Sequence, residues 1–368
     1  MRFSDVLDIR NGRNQRQVEN ENGKYPIYGS GGIIGHADNF ICDAETVVIG
    51  RKGSINNPIF VDEPFWNVDT AFGLVANKEV LLPKYLYYFC VNYNFEQLNT
   101  TVTIPSLTKA NLLQIEIRVP DMDIQQNIVN VLDKICYLID VCRKELYSLD
   151  QLVKSRFIEM FGSIVNSKYN YETCKLGEVA KVSSSHRVFT TEFVEKGIPF
   201  YRGTEIGELA NGQQPSNPYY ISEEHYERLT NDDTKLQIGD LLMPSICNKG
   251  QVWMVDTQEP FYYKDGRVLC ISPDKSIFNS KFLQYFMREK TLIEYPKLGS
   301  GSTFAEFKIF LLKELDVLVP PREIQEQFAD FVAQTDKSKY YNFTSYKYCV
   351  LAAKLIRQEW MLCQTLSF

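Results

Sequence analysis

The sequence predicts a mixed α/β fold of the α+β class, in which two similar globular domains are joined by two long antiparallel coiled-coil helices with an internal pseudo-twofold repeat. Three observations lead to this prediction. The 368-residue chain repeats itself, each repeat begins with short strand patterns separated by turns, and each ends in an extended helical pattern. We therefore expect a first domain at 1–119, a central helix at 120–162, a second domain at 163–320 and a C-terminal helix at 321–368.

The repeat is clearest where each half passes from its globular part into its helix. Residues 112–128 (LLQIEIRVPDMDIQQNI) match residues 312–328 (LKELDVLVPPREIQEQF) at a constant offset of 200 without a gap. An earlier block, Phe3 to Val6, matches Leu176 to Val179, where the offset is 173. Several matched blocks in the same order argue against chance similarity. The two halves therefore share framework positions and differ in the segments between them.

Short strands and one short helix are predicted within each globular part. Thr46 to Gly50 is an apolar run that ends at a glycine, and Ile115 to Val119 alternates as a half-buried strand does. Turn residues are dense, for example at Gly29-Ser30-Gly31-Gly32. A short helix is predicted at about 82–92 and its counterpart at about 279–289. Each half is therefore expected to contain a mixed body of helix and sheet.

A long amphipathic helix is predicted after Pro120. An aspartate at 121 or 123 can cap its start, and apolar positions then recur from Ile124 to Val153 in steps of three and four, close to a heptad. No proline or glycine interrupts the pattern before Gly162. About 38 residues make a helix of about 57 Å, which is too long for the core of a small domain. Such a helix needs a partner helix along its length.

The second half supplies a comparable helix after Pro320-Pro321. Its middle, from Thr335 to Thr344, is polar and aromatic, which predicts a break or kink there. We interpret the two helices as an antiparallel pair that acts as a spacer, and two independent helical caps are the alternative. The positions expected at the partner-helix or subunit interface are Ile124, Ile128, Leu138, Leu146, Leu149, Val153, Ile324, Phe328, Val350 and Ile356.

Composition and motifs exclude several classes of function. The net charge of −6 argues against tight DNA binding by the isolated chain, although a partner subunit could supply phosphate contacts. The chain contains no GxxxxGK[ST] phosphate loop and no legible catalytic triad. Nine scattered cysteines without a CxxC pair, and three histidines, predict reduced thiols and no metal site. The N-terminal segment does not resemble a signal peptide, and no apolar run approaches the roughly 20 residues of a membrane span.

Residue types suited to reading DNA occur in several predicted turns. Arginine and lysine pair with guanine edges or phosphates, and asparagine pairs with adenine. Arg51-Lys52 lie between glycines, and Asn248-Lys249 occupy the matching place in the second half. The glycine-rich stretch around Gly31 forms a tight turn or allows close approach to a DNA phosphate. A solvated surface residue is the alternative in each case. The DNA-binding candidates are Gly31, Gly32, Arg51, Lys52, Asn56, His186, Arg187, Arg202, Asn248, Lys249, Lys264 and Arg267.

Several motifs of both halves are similar to those of one known family. They are the openings FSDVLDI and KLGEVAKV, the segments YPIYGSGGIIG and GIPFYR, and the junctions VP-x3-IQQ and VPP-x2-IQEQ that precede the long helices. The most specific is the junction before the first helix, together with KSRFIEMFG (154–162) at that helix's end. In these motifs the chain resembles, over essentially its whole length, the specificity subunits of type I restriction-modification systems. It departs from them at Arg322-Glu323 and in the polar stretch 334–347.

The resemblance implies a DNA sequence-recognition subunit without catalytic residues of its own. Each half would read one half of a bipartite double-stranded DNA target, and the helices would set the spacing and dock two modification subunits. Motor-endonuclease subunits would complete the complex. The resemblance implies no metal or cofactor in this chain, with S-adenosylmethionine, ATP and magnesium held by partner subunits, a bacterial or archaeal cytoplasmic location and no membrane.

Two other functions remain open at the level of sequence. One is a DNA methyltransferase with an unrecognised cofactor site, because Asn217-Pro218-Tyr219-Tyr220 is similar to the NPPY-type loop of amino-methyltransferases, with Tyr219 in place of the second proline. The other is a helical scaffold that does not read DNA. Two divergent globular parts on a similar framework argue against a scaffold.

Overall fold

The computed structural model describes residues 1–99, 105–164, 169, 171–232, 235–298 and 305–365, with side chains described as far as Ile356. Packing divides the chain into two compact units. Unit 1 comprises Met1–Glu145 and the chain from Tyr341 onward, and unit 2 comprises Leu146–Tyr340. The boundaries predicted near 120 and 321 fall at helix starts, whereas the division by packing falls within the two long helices.

Unit 1 begins with a helical turn and strands, and it includes the first part of one long helix and the last part of the other. One 3-10 helix, Phe95–Leu98, lies among its described residues. Its elements are α1 (Phe3–Val6), β1 (Leu7–Asn11), β2 (Tyr25–Gly29), β3 (Gly32–Ala37), β4 (Thr46–Gly50), β5 (Ile59–Val61), β6 (Trp66–Asn67), β7 (Ala71–Ala76), α2 (Pro83–Asn92), α3 (Lys109–Leu113) and the start of α4 (Met122–Phe161).

Unit 2 repeats this order with additional helices. Two 3-10 helices, Thr190–Glu192 and Tyr295–Leu298, lie among its described residues. Its elements are β8 (Glu172–Lys175), α5 (Leu176–Val179), β9 (Ala180–Ser183), β10 (Ile198–Tyr201), α6 (Gly203–Ala210), β11 (Tyr219–Ile221), α7 (Glu223–Leu229), β12 (Leu241–Pro244), β13 (Trp253–Met254), β14 (Tyr262–Tyr263), β15 (Val268–Pro273), α8 (Ser280–Glu294), α9 (Ile309–Lys313), β16 (Asp316–Val319) and the start of α10 (Arg322–Thr365).

Two sheets recur with the same topology in both units. The larger sheet is antiparallel, with the order β1-β7-β4-β5 in unit 1 and β9-β15-β12-β13 in unit 2. The smaller sheet places β2 antiparallel to β3 and parallel to β6, and β10 has the same relations to β11 and β14. The mixed fold and the repeat that the sequence predicts are therefore confirmed.

The units differ where the central strand of the smaller sheet ends. In unit 1, β2 turns directly into β3 through a tight turn in which Gly32 has a φ of +123°. In unit 2, β10 leads into α6 before the chain returns as β11, and α7 follows. The shared sheets thus form a common frame, and the differences between the units lie in the segments that leave it.

The long helices contribute to the core of each unit. In unit 1, Val129 and Leu132 of α4 pack with Tyr85 and Phe89 of α2. In unit 2, Phe161 of α4 lies 4.6 Å from Phe282 of α8 and 5.5 Å from Phe328 of α10, measured between ring centroids. Because their apolar faces are buried in these cores, the ends of the helices are fixed to the globular bodies.

A buried glutamine joins each helix start to its globular body. The Gln125 side chain accepts a hydrogen bond from the Leu82 N–H (2.9 Å) and donates to the carbonyls of Val80 and Pro120 (both 2.8 Å). Leu82 is the N-cap residue of α2. Because the glutamine is fully buried and every contact is to backbone, it fixes the position of one helix start relative to the other.

Gln325 makes the same set of bonds in unit 2. It accepts from the Asn279 N–H at 2.9 Å and donates to the carbonyls of Ile277 at 3.1 Å and Pro320 at 2.8 Å. Asn279 is the N-cap residue of α8. The recurrence of all three bonds shows that the repeat extends to hydrogen-bond detail.

The two long helices pack together, antiparallel, as the sequence predicts. In unit 2, Asp150 of α4 pairs with Lys339 of α10 at 2.7 Å, and further along α4 the Phe157 ring lies 5.5 Å from that of Phe328. In unit 1, the Arg143 guanidinium lies over the Tyr346 ring and donates to its hydroxyl at 3.3 Å. Residue numbers rise along one helix as they fall along the other, which is the signature of an antiparallel pair.

The predicted break between Thr335 and Thr344 is wrong. α10 is a single helix from Arg322 to Thr365. Its sequence contains no proline or glycine, and the Thr335 hydroxyl donates to the Phe331 carbonyl at 2.9 Å, which satisfies the hydroxyl within the helix. Polar residues here indicate an exposed face and do not interrupt the backbone hydrogen bonds.

The strand predicted at Ile115 to Val119 is also wrong for unit 1. Only an isolated bridge between Arg2 and Glu116 is present, although Met1 and Ile117 exchange backbone hydrogen bonds. The matching segment of unit 2 is the strand β16, which pairs with β8. The four residues of β16 pair with four residues of β8, whereas in unit 1 the segment pairs with the N-terminal residues through the isolated bridge at Arg2.

At the start of α4 the buried face does not include two of the predicted interface positions, and their contact with a partner subunit stays a prediction. Ile124 is 50% exposed and Leu138 is 40% exposed, whereas Gln125, Val129 and Leu132 are buried. The buried stripe is displaced because this part of α4 packs on α2 as well as on a helix partner. Of the other predicted positions, Val153 and Phe328 are buried, and Ile128, Leu146, Leu149, Ile324, Val350 and Ile356 are half-buried.

We predict that Gln125→Ala destabilises the protein and that the neighbouring Gln126→Ala does not. The first change leaves one N–H and two carbonyls without their partner, at a cost of about 2 kcal/mol or more. Gln126 is exposed and bonds only to Asn130 among the described contacts, so its loss is nearly neutral. Urea unfolding of both variants beside wild type measures the difference. Equal stability of the two variants would contradict the structural role of Gln125.

Candidate nucleic-acid interface

The glycine-rich turn and the basic loop of unit 1 lie side by side. A side-chain carbon added at Gly50 would lie 3.0 Å from Cβ of Ser30, in the turn between β2 and β3. The same carbon would lie 2.3 Å from the Ser54 carbonyl oxygen, so the close approach requires glycine. Around Gly31 and Gly32 there is open space. The structure therefore brings the predicted residues Gly31 and Gly32 to the same edge as the loop that follows β4.

The loop that follows β4 has a fixed backbone and exposed side chains. The Arg51 N–H donates to the Thr70 carbonyl at 2.8 Å, and the Arg51 carbonyl accepts from the Leu107 N–H at 2.9 Å. The Arg51 guanidinium lies 5.7 Å from the centre of the Phe72 ring. Both Arg51 and Lys52 are exposed, and neither forms an ion pair within the described part of the chain. This arrangement presents two cations on a rigid support.

Asn56 has an internal partner at each end of its amide. Its nitrogen donates to the Asn94 side-chain oxygen at 3.1 Å, and its oxygen accepts from the Phe95 N–H at 2.7 Å. The side chain thus ties its loop to the segment after α2. The predicted DNA contact of Asn56 stays a prediction, and the structure gives this residue a structural role.

In unit 2 the structure gathers several predicted residues around the strand β14. The Gly266 N–H donates to the Ser184 hydroxyl at 2.8 Å, and the Lys264 N–H donates to the Tyr201 carbonyl at 2.9 Å. The segment carrying His186 and Arg187 therefore runs beside Lys264 and Arg267, and the end of β10 adjoins both. Short backbone contacts of this kind bring together residues that are distant in sequence.

The charged groups of this cluster differ in their partners. The His186 ring lies 2.7 Å from an Asp232 carboxylate oxygen, and Arg267 pairs with Glu306 at 2.9 Å. Arg187 lies over the Phe189 ring, with the guanidinium 5.2 Å from its centre. Arg187 and Arg267 are exposed and Lys264 is half-buried. These partners hold the cluster in place and partly neutralise its charge.

Arg202 is held internally. Its guanidinium donates two hydrogen bonds to Glu205, whose side chain is 1% exposed, and it lies 4.5 Å from the centre of the Tyr219 ring. Burial alone would raise the pKa of Glu205, but hydrogen bonds from the Arg202 side chain and backbone outweigh it and hold the pKa below its usual value. Arg202 is therefore committed to a buried carboxylate, and its predicted DNA contact stays a prediction.

Asn248 and Lys249 lie in an exposed loop that packs on α8. A side-chain carbon at Gly250 would lie 2.8 Å from the Arg288 carbonyl oxygen, and the Lys249 N–H donates to Gln251 at 3.0 Å. No hydrogen bond joins Asn248 or Lys249 to the cluster around β14 within the described residues.

The sequence match between the two basic loops is correct at Gly53 and Gly250. It is not correct at Arg51. Gly53 and Gly250 both accept, through their carbonyls, the N–H of the residue two positions on. In unit 2, the residue at the backbone position equivalent to Arg51 is Ser245. Its N–H donates to the Arg267 carbonyl at 2.9 Å. The loop of unit 2 is thus longer, which a comparison of letters alone does not show.

Metal ligands do not cluster among the described residues, and two of the cysteine thiols are deeply buried. No group of three or more His, Cys, Asp or Glu residues suited to a metal ion occurs in the described part of the chain. Burial raises the pKa of Cys247 to about 11 and that of Cys42 to about 12, so both thiols are protonated at neutral pH and are weak nucleophiles. None of the helices in the described ranges has the length and apolar character that a membrane span requires.

Comparison with known proteins identifies the family. The sequence profile of the type I restriction modification DNA specificity domain matches residues 1–150 and again residues 168–341. The chain belongs to the type I restriction-modification specificity subunits. The repeat found in the sequence is thus a repeat of this domain, and recognition of DNA is the role of this specificity subunit through its family.

Relatives and solved structures agree with the family. A protein of Haemophilus influenzae that carries the name of a type I restriction enzyme specificity subunit is 25% identical over 319 residues, 84% of this chain and 80% of that protein. The type I restriction enzyme MjaIX specificity subunit of Methanocaldococcus jannaschii is 24% identical over 313 residues, 77% of this chain and 68% of that protein.

The fold of this specificity subunit is similar to that of solved S subunits. The crystal structure of a type I restriction-modification system S subunit from M. genitalium aligns with a TM-score of 0.66 and 15% identity, covering 98% of this chain and 95% of that one. A second structure, from work on complex assembly and conformational transition of the type I R-M system, aligns with a TM-score of 0.56 and 16% identity over 98% and 96% of the chains. At such identities the similarity concerns the fold alone.

One exposed segment, Arg10 to Gln17, is not among the candidates predicted from the sequence. It contains only arginine, asparagine, glutamine and glycine, which is the signal that could have drawn attention to it. Its position in unit 1 corresponds to that of the segment with His186 and Arg187 in unit 2, which was among the candidates. The correspondence becomes visible only through strand register.

We predict that Arg202→Ala destabilises the protein at neutral pH and that Arg187→Ala does not. Removal of Arg202 leaves the buried Glu205 carboxylate unpaired. The expected loss of stability is about 2 kcal/mol, less than for a fully buried pair, because Arg202 is partly exposed and solvent screens its charge. The native pKa of Glu205 is lowered, so its pairing stabilises above the unfolded carboxyl pKa of about 4.3 and the benefit is lost as pH falls through the lower native value.

Urea unfolding at neutral and acidic pH tests this prediction. The deficit of the Arg202 variant should be largest at neutral pH and should shrink in acid, where a protonated Glu205 needs no cation. Arg187 is exposed and stacked on Phe189, so its variant serves as the matched control. A deficit of the Arg202 variant that does not depend on pH would contradict the assigned role.

Proposed function

We propose that this specificity subunit reads a bipartite double-stranded DNA target, with each unit reading one half. The most direct support is that the sheets are the same in both units, whereas the exposed segments that leave them differ. Both units have the same two sheets and the same buried glutamine, but the segments that leave the smaller sheet differ in length and composition. A repeated frame with different exposed segments suits two readers of two different short sequences.

We further propose that α4 and α10 set the gap between the half-sites and bind two modification subunits. Their exposed faces carry large side chains, including Tyr137 and Tyr147 of α4 and Tyr348 of α10, all about two-thirds exposed. Aromatic residues of this kind are typical of protein interfaces. The relative studied for complex assembly in the type I R-M system supports such partners.

Catalysis, in this proposal, belongs to other subunits of a cytoplasmic complex. Modification subunits would supply S-adenosylmethionine for methyl transfer, and motor-endonuclease subunits would supply ATP and magnesium for cleavage. The specificity subunit itself would be non-catalytic and would bind no cofactor or metal. The family and the names of the relatives support this division of tasks.

The methyltransferase alternative loses support from the position of its motif. In the loop from Asn217 to Tyr220, the Asn217 carbonyl accepts a hydrogen bond from Arg202, and the Tyr219 ring stacks on Phe193 at 4.8 Å between centroids. Through these contacts the loop packs against the smaller sheet of unit 2. A base-holding loop would instead present its polar groups to a substrate.

We predict that a heptad inserted into both long helices lengthens the gap between half-sites and leaves the bases of both half-sites unchanged. The insertions go between Glu145 and Leu146 and between Tyr340 and Tyr341, where packing divides the units, so that the pairing within each unit is kept. Seven residues add about 10 Å of helix, or at most about three base pairs.

Methylation mapping of the complex with its modification subunit gives the result. A matched control carries a heptad in α4 alone, which disrupts the register of the pair and should reduce complex formation. Altered half-site bases at an unchanged gap would contradict the spacer role of the helices.

A further inference from the structure

The segment from Arg10 to Gln17 stands out from the rest of the chain in its chemistry. Its sequence is RNGRNQRQ, with three arginines and four carboxamide side chains and no acidic residue, in a protein whose net charge is −6. Arginine matches the hydrogen-bonding edge of guanine, and asparagine and glutamine match that of adenine. Seven of the eight residues thus have side chains that can read bases.

Strand register places this segment where unit 2 has His186 and Arg187. Arg10 of β1 lies opposite Gly73 of β7, and Ser183 of β9 lies opposite Cys270 of β15, at equivalent positions of the two larger sheets. Three residues further along, Arg13 corresponds to His186. The same exit from the frame therefore carries exposed arginine side chains in both units.

The backbone of the segment is fixed to the smaller sheet of unit 1. The Arg13 N–H donates to the Asn67 carbonyl at 2.8 Å, and the Arg13 carbonyl accepts from the Trp66 indole N–H at 3.0 Å. At Gly12 an added side-chain carbon would lie 1.7 Å from the Val68 carbonyl oxygen, so only glycine allows this approach. A fixed backbone keeps the entropy cost of ordering low when a ligand binds.

Several side chains of the segment are exposed and are available to a ligand. Arg13, Asn14 and Arg16 are exposed, and the Asn14 side chain accepts from the Arg16 N–H at 2.9 Å, which orders the turn. Arg10 pairs with Asp8 and Asp43, whereas no ion pair holds Arg13 or Arg16 in the described part of the chain. An open recess of about 530 Å³ adjoins the segment, lined by Arg10, Asn11, Arg13, Phe40, Ile41 and Asp43.

We propose that Arg13 and Arg16 contact base edges of the half-site that unit 1 reads, and so determine part of its sequence. This inference rests on the proposed function. Arg13 stands on the anchored end of the segment, and Arg16 on the turn that Asn14 orders. In both cases the backbone is held by the protein while the guanidinium extends into solvent, as a bidentate contact to guanine requires.

The variants Arg13→Ala and Arg13→Lys test the inference in the complex with the modification subunit. The lysine variant keeps the charge but loses the planar fork that recognises guanine. We expect both variants to relax the base preference at one position of one half-site, by on the order of ten- to a hundredfold, with every other position unchanged. Single-molecule sequencing of methylated genomic DNA measures the preference, and Arg16→Ala is measured in parallel.

Other results would overturn the inference in distinguishable ways. A uniform loss of methylation in Arg13→Ala that Arg13→Lys restores would make Arg13 a phosphate contact. An unchanged motif in both Arg13→Ala and Arg16→Ala would remove the segment from recognition. The control Lys78→Ala changes an exposed lysine of unit 1 that is paired with Glu45, and it should leave the motif unchanged. Methylation without any sequence motif in the wild-type complex would instead contradict the proposed function.

Discussion

The buried glutamine at the start of each long helix is the interaction on which the rest of the structure depends. Gln125 and Gln325 each bond to three backbone groups, and they fix the start of the long helix to the start of the short helix that covers the larger sheet. An amide has one acceptor and two donor hydrogens, and here each is used without contact with water. The geometry of a helix relative to its globular body is thereby set by backbone groups, whose positions do not change with surface sequence.

This arrangement separates the tasks of support and recognition. The exposed segments can vary in length and charge, because most of their side chains make no contact that holds the sheets and helices together. Where a side chain of such a segment bonds within its own unit, as in Arg202 and Asn56, it also supports the frame. A reader built in this way can change its target by local substitution, while helices and sheets keep their positions within each unit.

The sequence predicted the repeat, the mixed fold and the long helices because these depend on periodic patterns and on letters that recur at fixed offsets. It failed where three-dimensional partners decide. Ile115 to Val119 has the pattern of a strand but forms only an isolated bridge, and the burial of Gln125 in place of Ile124 follows from the packing of α4 on α2. The sequence also does not reveal that Arg202 pairs with Glu205, because this carboxylate becomes buried only in the fold. The Arg10–Gln17 segment required strand register to reveal its counterpart.

The most direct measurement is a map of the positions methylated by the wild-type complex of this chain with its modification subunit. If two units on one repeated frame each read DNA, the methylated sites share two short specific blocks that are separated by a gap of fixed length and unspecified sequence. A single continuous block of specified bases would contradict that account, because only one unit would then be reading DNA.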